Sequence, residues 1–167
     1  KQPNSPVPTI KTNLKILPTT EITVVWFGHS SYFLQINNVK MLVDPVLSER
    51  ISPVTFAGTK SYLGTQLYTF DDIPELDCIL LTHDHYDHLD YQTIVMLNSK
   101  TTKFYTSLGV GVHLEHWGIE ADKIHEFDWW DTQTIAPEIE LTATPARHFS
   151  GRRLTKRNQT LWSSFVI

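Results

Sequence analysis

The side chains best suited to chemistry fall in one stretch, His83-Asp84-His85-Tyr86-Asp87-His88-Leu89-Asp90, which holds three of the chain's eight histidines. Imidazole and carboxylate are the usual ligands of hydrolytic zinc. In an extended segment residues two apart share a side, so His83 and His85 can serve one ion. Asp87 and His88, on the turn that follows, can serve a neighbouring one. The alternative is a solvated loop in which histidines gather by chance, and so dense a cluster of an uncommon residue argues against it.

The elements that must position this stretch can be read on either side of it. Cys78-Ile79-Leu80-Leu81 is an apolar run without alternation, which predicts a short strand buried on both faces. Asp90 is placed to cap a helix over 91–98 that puts Ile94 and Leu97 on one face. A second strand with a histidine beyond its end occurs later. Glu138 to Ala143 alternates apolar with polar, ends at Thr144-Pro145, and is followed by His148. His148 is therefore the best third ligand for an ion on His83 and His85, against the alternative of an isolated surface histidine.

Two further residues fall at strand ends. Asp44 follows the apolar run Met41-Leu42-Val43, where it either holds a ligating histidine by its second ring nitrogen or caps a turn before Pro45. His29, in Gly28-His29-Ser30, is either a polar group near the site or an imidazole satisfied by its own turn, and the turn is the simpler account. Arg147, Arg152, Arg153, Lys156 and Arg157 form a local cationic cluster that can draw an anionic substrate to the metals or simply be a solvated loop. His113 and His116 stand at helical i, i+3 spacing, but no third ligand is near and they are rejected as a metal pair.

The remaining chain reads as one globular domain, residues 21–167, behind a proline-rich arm, residues 1–20, lying on the surface or partly disordered. Strands are expected over 22–27, 32–36 and 39–43, the last two joined at Asn37-Asn38 in a tight hairpin, so that the domain opens as a β-meander. The stretch to about Phe70, with Pro53, Gly58 and Gly64, reads as a long loop. Later come a strand over 103–106, a short helix over 108–117 closed by Gly118, a strand over 123–127, a turn whose Trp129 and Trp130 anchor it in the core, and a last strand over 161–167.

Composition narrows the function classes. With 41% hydrophobic residues in 167, the chain can bury a core, and its longest apolar runs fall far short of a membrane span. A net charge of −4 argues against nucleic-acid binding. Cys78 is the only cysteine, sits in the buried strand and forms no internal disulfide, which leaves the compartment open, with the cytoplasm favoured. The chain does not begin with Met, so a processed leader is compatible with it.

The order His-x-His-x-Asp-His is the signature of the metallo-β-lactamase superfamily, which the chain resembles at His83 to His88. Trp26-Phe-Gly-His-Ser30, Leu42-Val-Asp-Pro45, Ser52-Pro53 with Gly58, Phe127-Asp-Trp-Trp130, Pro145 to Arg152 and Leu161-Trp162 resemble its N-acyl-phosphatidylethanolamine-hydrolysing phospholipase D branch. The L-ascorbate-6-phosphate lactonases are a more distant resemblance. The resemblance implies an α/β fold, a four-layer αββα sandwich with a dinuclear site at one edge. His83, His85 and His148 would bind one metal, and Asp87 and His88 the other, with Asp87 also orienting the nucleophile. Asp44, His29 and Arg152 would lie around them or against substrate. The family pattern also calls for a bridging Asp and a last His further along, which the chain does not reach.

The expectation that follows is a metal-dependent hydrolase in which two ions, zinc first and manganese or iron as alternatives, share a hydroxide that attacks a lipid or small-molecule phosphodiester. A lactonase acting on a phosphorylated sugar acid lactone and a non-catalytic half-domain used for binding are the competing readings. The last strand ends on three apolar residues. The expectation is therefore of an N-terminal half whose C-terminal half lies elsewhere, and which alone is dimeric or aggregation-prone and weakly active.

Overall fold

A computed structural model of the chain describes residues 3–51, 59–152 and 157–167. Strand β1 (Thr23–Gly28), β2 (Ser31–Ile36) and β3 (Val39–Val43) form the expected antiparallel meander. Asn37 and Asn38 turn the hairpin at φ +46° and +69°, positive angles that asparagine tolerates better than most residues. The pair β4 (Arg50–Ile51) and β5 (Thr59–Lys60) interrupts the predicted long loop. Ser52, Pro53 and Gly58 lie outside the described residues, as do Arg153 and Lys156 of the cationic cluster.

From β3 the chain changes habit. Strands β6 (Leu76–Leu81), β7 (Thr101–Ser107) and β8 (Ile124–Phe127) each pair in parallel with the strand before, completing a six-stranded sheet in the order β1-β2-β3-β6-β7-β8. Parallel neighbours need a crossover connection. Helix α1 (Tyr91–Leu97) provides one, with the Asp90 carboxylate accepting from the Thr93 amide, as the sequence predicts. Helix α2 (Gly111–His116) provides the one between β7 and β8, shorter than expected, with Gly118 just past it at φ +89°.

The second sheet is antiparallel and three-stranded, β11-β10-β9, from β9 (Thr132–Ala136), β10 (Ile139–Pro145) and β11 (Ser163–Val166). Strand β9 is absent from the sequence reading, because Thr132-Gln-Thr-Ile-Ala136 holds too few apolar residues to declare itself.

Two cores flank the six-stranded sheet, as the buried run in β6 requires. One face carries Phe33, Leu42, Ile79, Leu81 and Phe104 under Ile94 and Leu97 of α1 and Leu114 of α2. Full burial of each such side chain is worth about 1.5–3 kcal/mol. The arm contributes Leu14, 1% exposed, to this core. The opposite face carries Met41, Val43, Cys78, Leu80 and Tyr105 against Leu141 and Ala143 of the second sheet. The layers are thus helix, sheet, sheet, as in the expected sandwich, with no helical layer beyond the second sheet among the described residues. The edge strand β1 leaves Val24 and Trp26, with Ile22 just before it, exposed on the face away from the helices.

One expectation about packing is corrected. Trp130 does not anchor its turn in the core: it is 70% exposed at φ +75°, because the turn swings it outward while Trp129 turns inward. Trp129 Nε1 donates to the Trp162 carbonyl at 2.8 Å, and the two indoles meet edge to face.

Candidate metal centre

Strands β1, β3 and β6 run in the same direction, so their C-terminal ends share one edge of the large sheet. His29, Asp44 and His83 follow those ends. Strand β10 of the second sheet ends at Pro145, and the loop beyond it brings in His148. Crevices at the carboxyl ends of strands are where open α/β sheets collect their functional groups.

His83, His85 and His148 meet there. His83 Nε2 lies 3.0 Å from His85 Nδ1 and 3.0 Å from His148 Nε2, and the latter two are 3.2 Å apart. A ring nitrogen either carries a proton or offers a lone pair, never both. Three mutually close ring nitrogens therefore cannot all be paired by hydrogen bonds, since at least one contact joins two donors or two acceptors. One cation facing three lone pairs removes the conflict. Nitrogens at about 2.05 Å from a tetrahedral ion would stand about 3.3 Å apart, close to the spacing seen.

Asp44 organises the surroundings. It is 2% exposed, at φ +42°, and its Oδ2 accepts from His88 Nδ1 at 2.7 Å and from Thr82 Oγ1 at 2.7 Å, while Oδ1 accepts from the Thr82 amide at 2.8 Å. The Thr82 hydroxyl stands 2.8 Å from His83 Nδ1. Of the two sequence readings of Asp44, the contacts are those of a carboxylate that holds a histidine by its second ring nitrogen. With Nδ1 of both His83 and His88 so occupied, Nε2 of each is left to face the site. Thr82, a relay between Asp44 and His83, escapes sequence reasoning, although a hydroxyl directly before the first histidine is a usable signal.

A second cluster adjoins the first. Asp87 Oδ2 lies 3.1 Å from His29 Nε2 and 3.9 Å from His88 Nε2. His29, Asp87 and His88 each present a ligand atom within one ion's reach, as do His83, His85 and His148. His29 is thus drawn to Asp87 rather than consumed by its own turn.

The electrostatics follow from this crowding. Burial, and then the neighbouring His88, His85 and His148, push His83 down to about 3, so its ring is neutral at neutral pH. Burial and His148 lower His85 likewise. For His88 burial acts downward, but the hydrogen bond and charge of Asp44 outweigh it and leave the ring raised. For Asp87 burial acts upward, and His88, its own backbone, His29 and His85 together leave the carboxyl lowered and ionised. The neutral rings of His83 and His85 are in the state in which imidazole binds metal.

Two residues brace the loop from the other side. Asp84, 3% exposed, accepts from the Gly151 amide at 2.7 Å and faces His113 Nε2 at 3.8 Å, contacts the sequence reading missed for both residues. Of the two places expected for Arg152, around the metal ligands or against substrate, its contacts are those of the first. Its Nη1 donates to the Asp84 carbonyl at 2.9 Å and to the Leu89 carbonyl at 2.7 Å, and its guanidinium lies over the Tyr86 ring at 4.1 Å. The charge is spent on fastening the loop of His148 to that of His83 and His85. Of the described residues of that cationic cluster, Arg147 is exposed and Arg157 stacks on Phe149.

A cavity of about 330 Å³ opens beside the second cluster, with Phe27, Tyr68, Val46 and Leu47 in its apolar wall and His29 and Asp87 on its polar one.

Fold and site together define a β-lactamase-superfamily protein. Residues 40–167 match the family model of the Beta-lactamase superfamily domain, and the chain belongs to that family. It is 39% identical over 167 residues to an uncharacterized protein of Mycobacterium tuberculosis, covering 99% of this chain and 44% of that protein. It is 31% identical over 150 residues to N-acyl-phosphatidylethanolamine-hydrolyzing phospholipase D 1 of Caenorhabditis elegans, covering 85% of this chain and 42% of that one. The chain thus spans less than half the length of these curated relatives. In fold it is similar to CmlA, a diiron β-hydroxylase from Streptomyces venezuelae, with a TM-score of 0.63 and 24% identity over 89% of this chain and 27% of that one.

Proposed function

We propose that the chain supplies the metal-binding layers of a metal-dependent hydrolase that cleaves a phosphodiester carrying an apolar group, in the manner of a phospholipase D. The observation that carries this reading is the triangle of ring nitrogens from His83, His85 and His148, with His88 and Asp87 beside it. Bound there, a pair of cations would make a water nucleophilic at neutral pH and hold the charge that develops on the substrate. The chain's own residues would hold the ions: His83, His85 and His148 one, and Asp87 and His88 the other. Asp87 would also orient the attacking water, and Asp44 would hold His88 in register. All of the donors are nitrogen or oxygen, a set that suits zinc first and manganese or iron as well.

The phosphodiester preference draws on the similarity to the phospholipase and on the apolar cavity next to Asp87. Since the relatives are more than twice as long, a further segment would supply the remaining ligands and cover the apolar residues exposed on β1. Elemental analysis of chain purified without chelator tests the metal, and failure to take up zinc, manganese or iron would refute the reading. A panel of a chromogenic phosphodiester, a phospholipid and several lactones, run on the chain within a protein of its relatives' full length, tests the substrate. Turnover of lactones alone would make the protein a lactonase. Partner binding that survives His83→Ala with His85→Ala, without any turnover, would make it a binding module.

A further inference from the structure

We propose that the proline-rich N-terminal arm sets which apolar groups the cavity beside Asp87 accepts, by fixing a wall of it that no strand or helix holds. The inference rests on the reading of that cavity as the seat of the substrate's apolar group, and adds what determines its size. Residues 61–69 follow β5 without forming a strand or a helix, and Tyr62, Thr65, Gln66 and Tyr68 among them line the cavity. A segment with no ladder of its own takes its position from whatever its polar groups and side chains meet. No described residue of the arm lines the cavity, so the arm acts on it through this segment.

The arm meets the segment at several points along its length. Pro6 and Pro8 have no amide proton, and Val7 between them donates its own to the Leu63 carbonyl at 2.8 Å. Gly64 makes the seat: it takes φ +94°, and a Cβ there would stand 2.5 Å from the Val7 carbonyl oxygen. Further on, the Thr12 amide donates to the Tyr68 hydroxyl at 3.0 Å. Lys11 pairs at 2.7 Å with Asp72, whose carboxylate accepts from the Thr69 amide and caps the turn that follows Tyr68. That exposed ion pair adds little by itself. The anchor is Leu14, which is buried in the same core as Phe27 and Tyr68, whose rings stack at 4.2 Å between centroids. Both rings line the cavity, so a contact that the arm makes at the Tyr68 hydroxyl bears on the space a substrate would enter. The prolines lower the cost of this arrangement, since they restrict the arm before it docks as well as after.

Straight-chain alcohols from butanol to decanol read the cavity without involving a metal. Titration calorimetry on the unaltered chain should show binding that tightens about fourfold with each added methylene until the cavity is full, then levels off. Two variants loosen the arm: a chain lacking residues 1–12, which keeps Leu14, and Tyr68→Phe, which keeps the ring on Phe27 and loses the hydroxyl. In both, the levelling should move to a longer alcohol. An unmoved levelling point in both would overturn the inference, as would weakening by one common factor across the series, which marks a general loss of stability. Zinc uptake by the shortened chain should stay within about twofold of the unaltered one, and a larger loss would make the arm a support of the whole fold instead. Should the shortened chain fail to fold, Tyr68→Phe decides alone. An unaltered chain whose affinities do not rise along the series would remove the cavity's apolar role, and the inference with it, while leaving the histidine cluster untouched.

Discussion

The two clusters at the edge of the sheet are built from the same residue types and held in different ways. His83, His85 and His148 come from two sheets, with His83 buried at 4% exposure, and their loops are joined by Arg152. His29, Asp87 and His88 sit on the rim, where the side chains of His29 and Asp87 are 57% and 37% exposed. Rigid buried ligands bind an ion by being already in place, whereas exposed ones must be ordered by it. The first cluster should therefore hold its ion more tightly, and Asp44, which reaches His88 directly and His83 through Thr82, is the point where the two share a fate.

Removing that shared point should have the largest effect. Asp44→Ala leaves the Thr82 amide, the Thr82 hydroxyl and His88 Nδ1 without an acceptor, and loss of one partner from a buried pair costs on the order of 3–5 kcal/mol. Zinc affinity should fall at both clusters, and urea unfolding with zinc titration checks both effects. A loss confined to one cluster would break the comparison.

Arg152→Ala should separate the clusters. It deletes two charge-assisted hydrogen bonds and the stack on Tyr86, on the order of 4 kcal/mol, and loosens the loop of His148 from the 84–89 turn. The first ion, which needs His148, should weaken more than the second, and equal weakening in the same titration would show that Arg152 braces the whole edge.

Acid should act on the metal-free chain through His83. Its ring is held down to about 3 when folded and returns to about 6.5 when unfolded, so between those values the unfolded chain binds more protons and stability rises with pH. On lowering the pH from 7 to 5 this amounts to roughly 2 kcal/mol lost. The raised His88 opposes it, since protonation favours the folded form there. Urea midpoints at the two pH values should show a net loss, to which the lowered His85 adds, that His83→Asn reduces, and a midpoint unchanged by acid would contradict the assignment.

The smallest effect falls to an exposed residue that belongs to neither cluster. Trp130→Gly removes an exposed indole from a left-handed position, so thermal unfolding should show a change within about 1 kcal/mol, in the stabilising direction, with zinc binding unchanged.

Much of this architecture was legible in the order of residues. The buried run before His83, the Asp90 cap and the Asn37-Asn38 hairpin each state their structure through local physics, and local physics survives folding. What escaped depends on contacts distant in sequence. Arg152 reads as a free cation until its partners, Asp84 and Leu89, are seen more than sixty positions away. Strand β9 lacks a pattern of its own and is a strand because β10 pairs with it. His29 was ambiguous for the same reason, as nothing in Gly28-His29-Ser30 says that Asp87 lies opposite.

His148 stands 65 residues beyond His83 and belongs to the other sheet. An ion gripped by both would thus be a cross-link, clasping the three-stranded sheet to the six-stranded one as a disulfide would, and withdrawing freedom from the unfolded chain. In the chain-entropy account, closing a loop of that length is worth about 4 kcal/mol. Without such an ion the smaller sheet should loosen first, and its amides, from β9 to β11, should exchange with solvent well before those of β6 and β7.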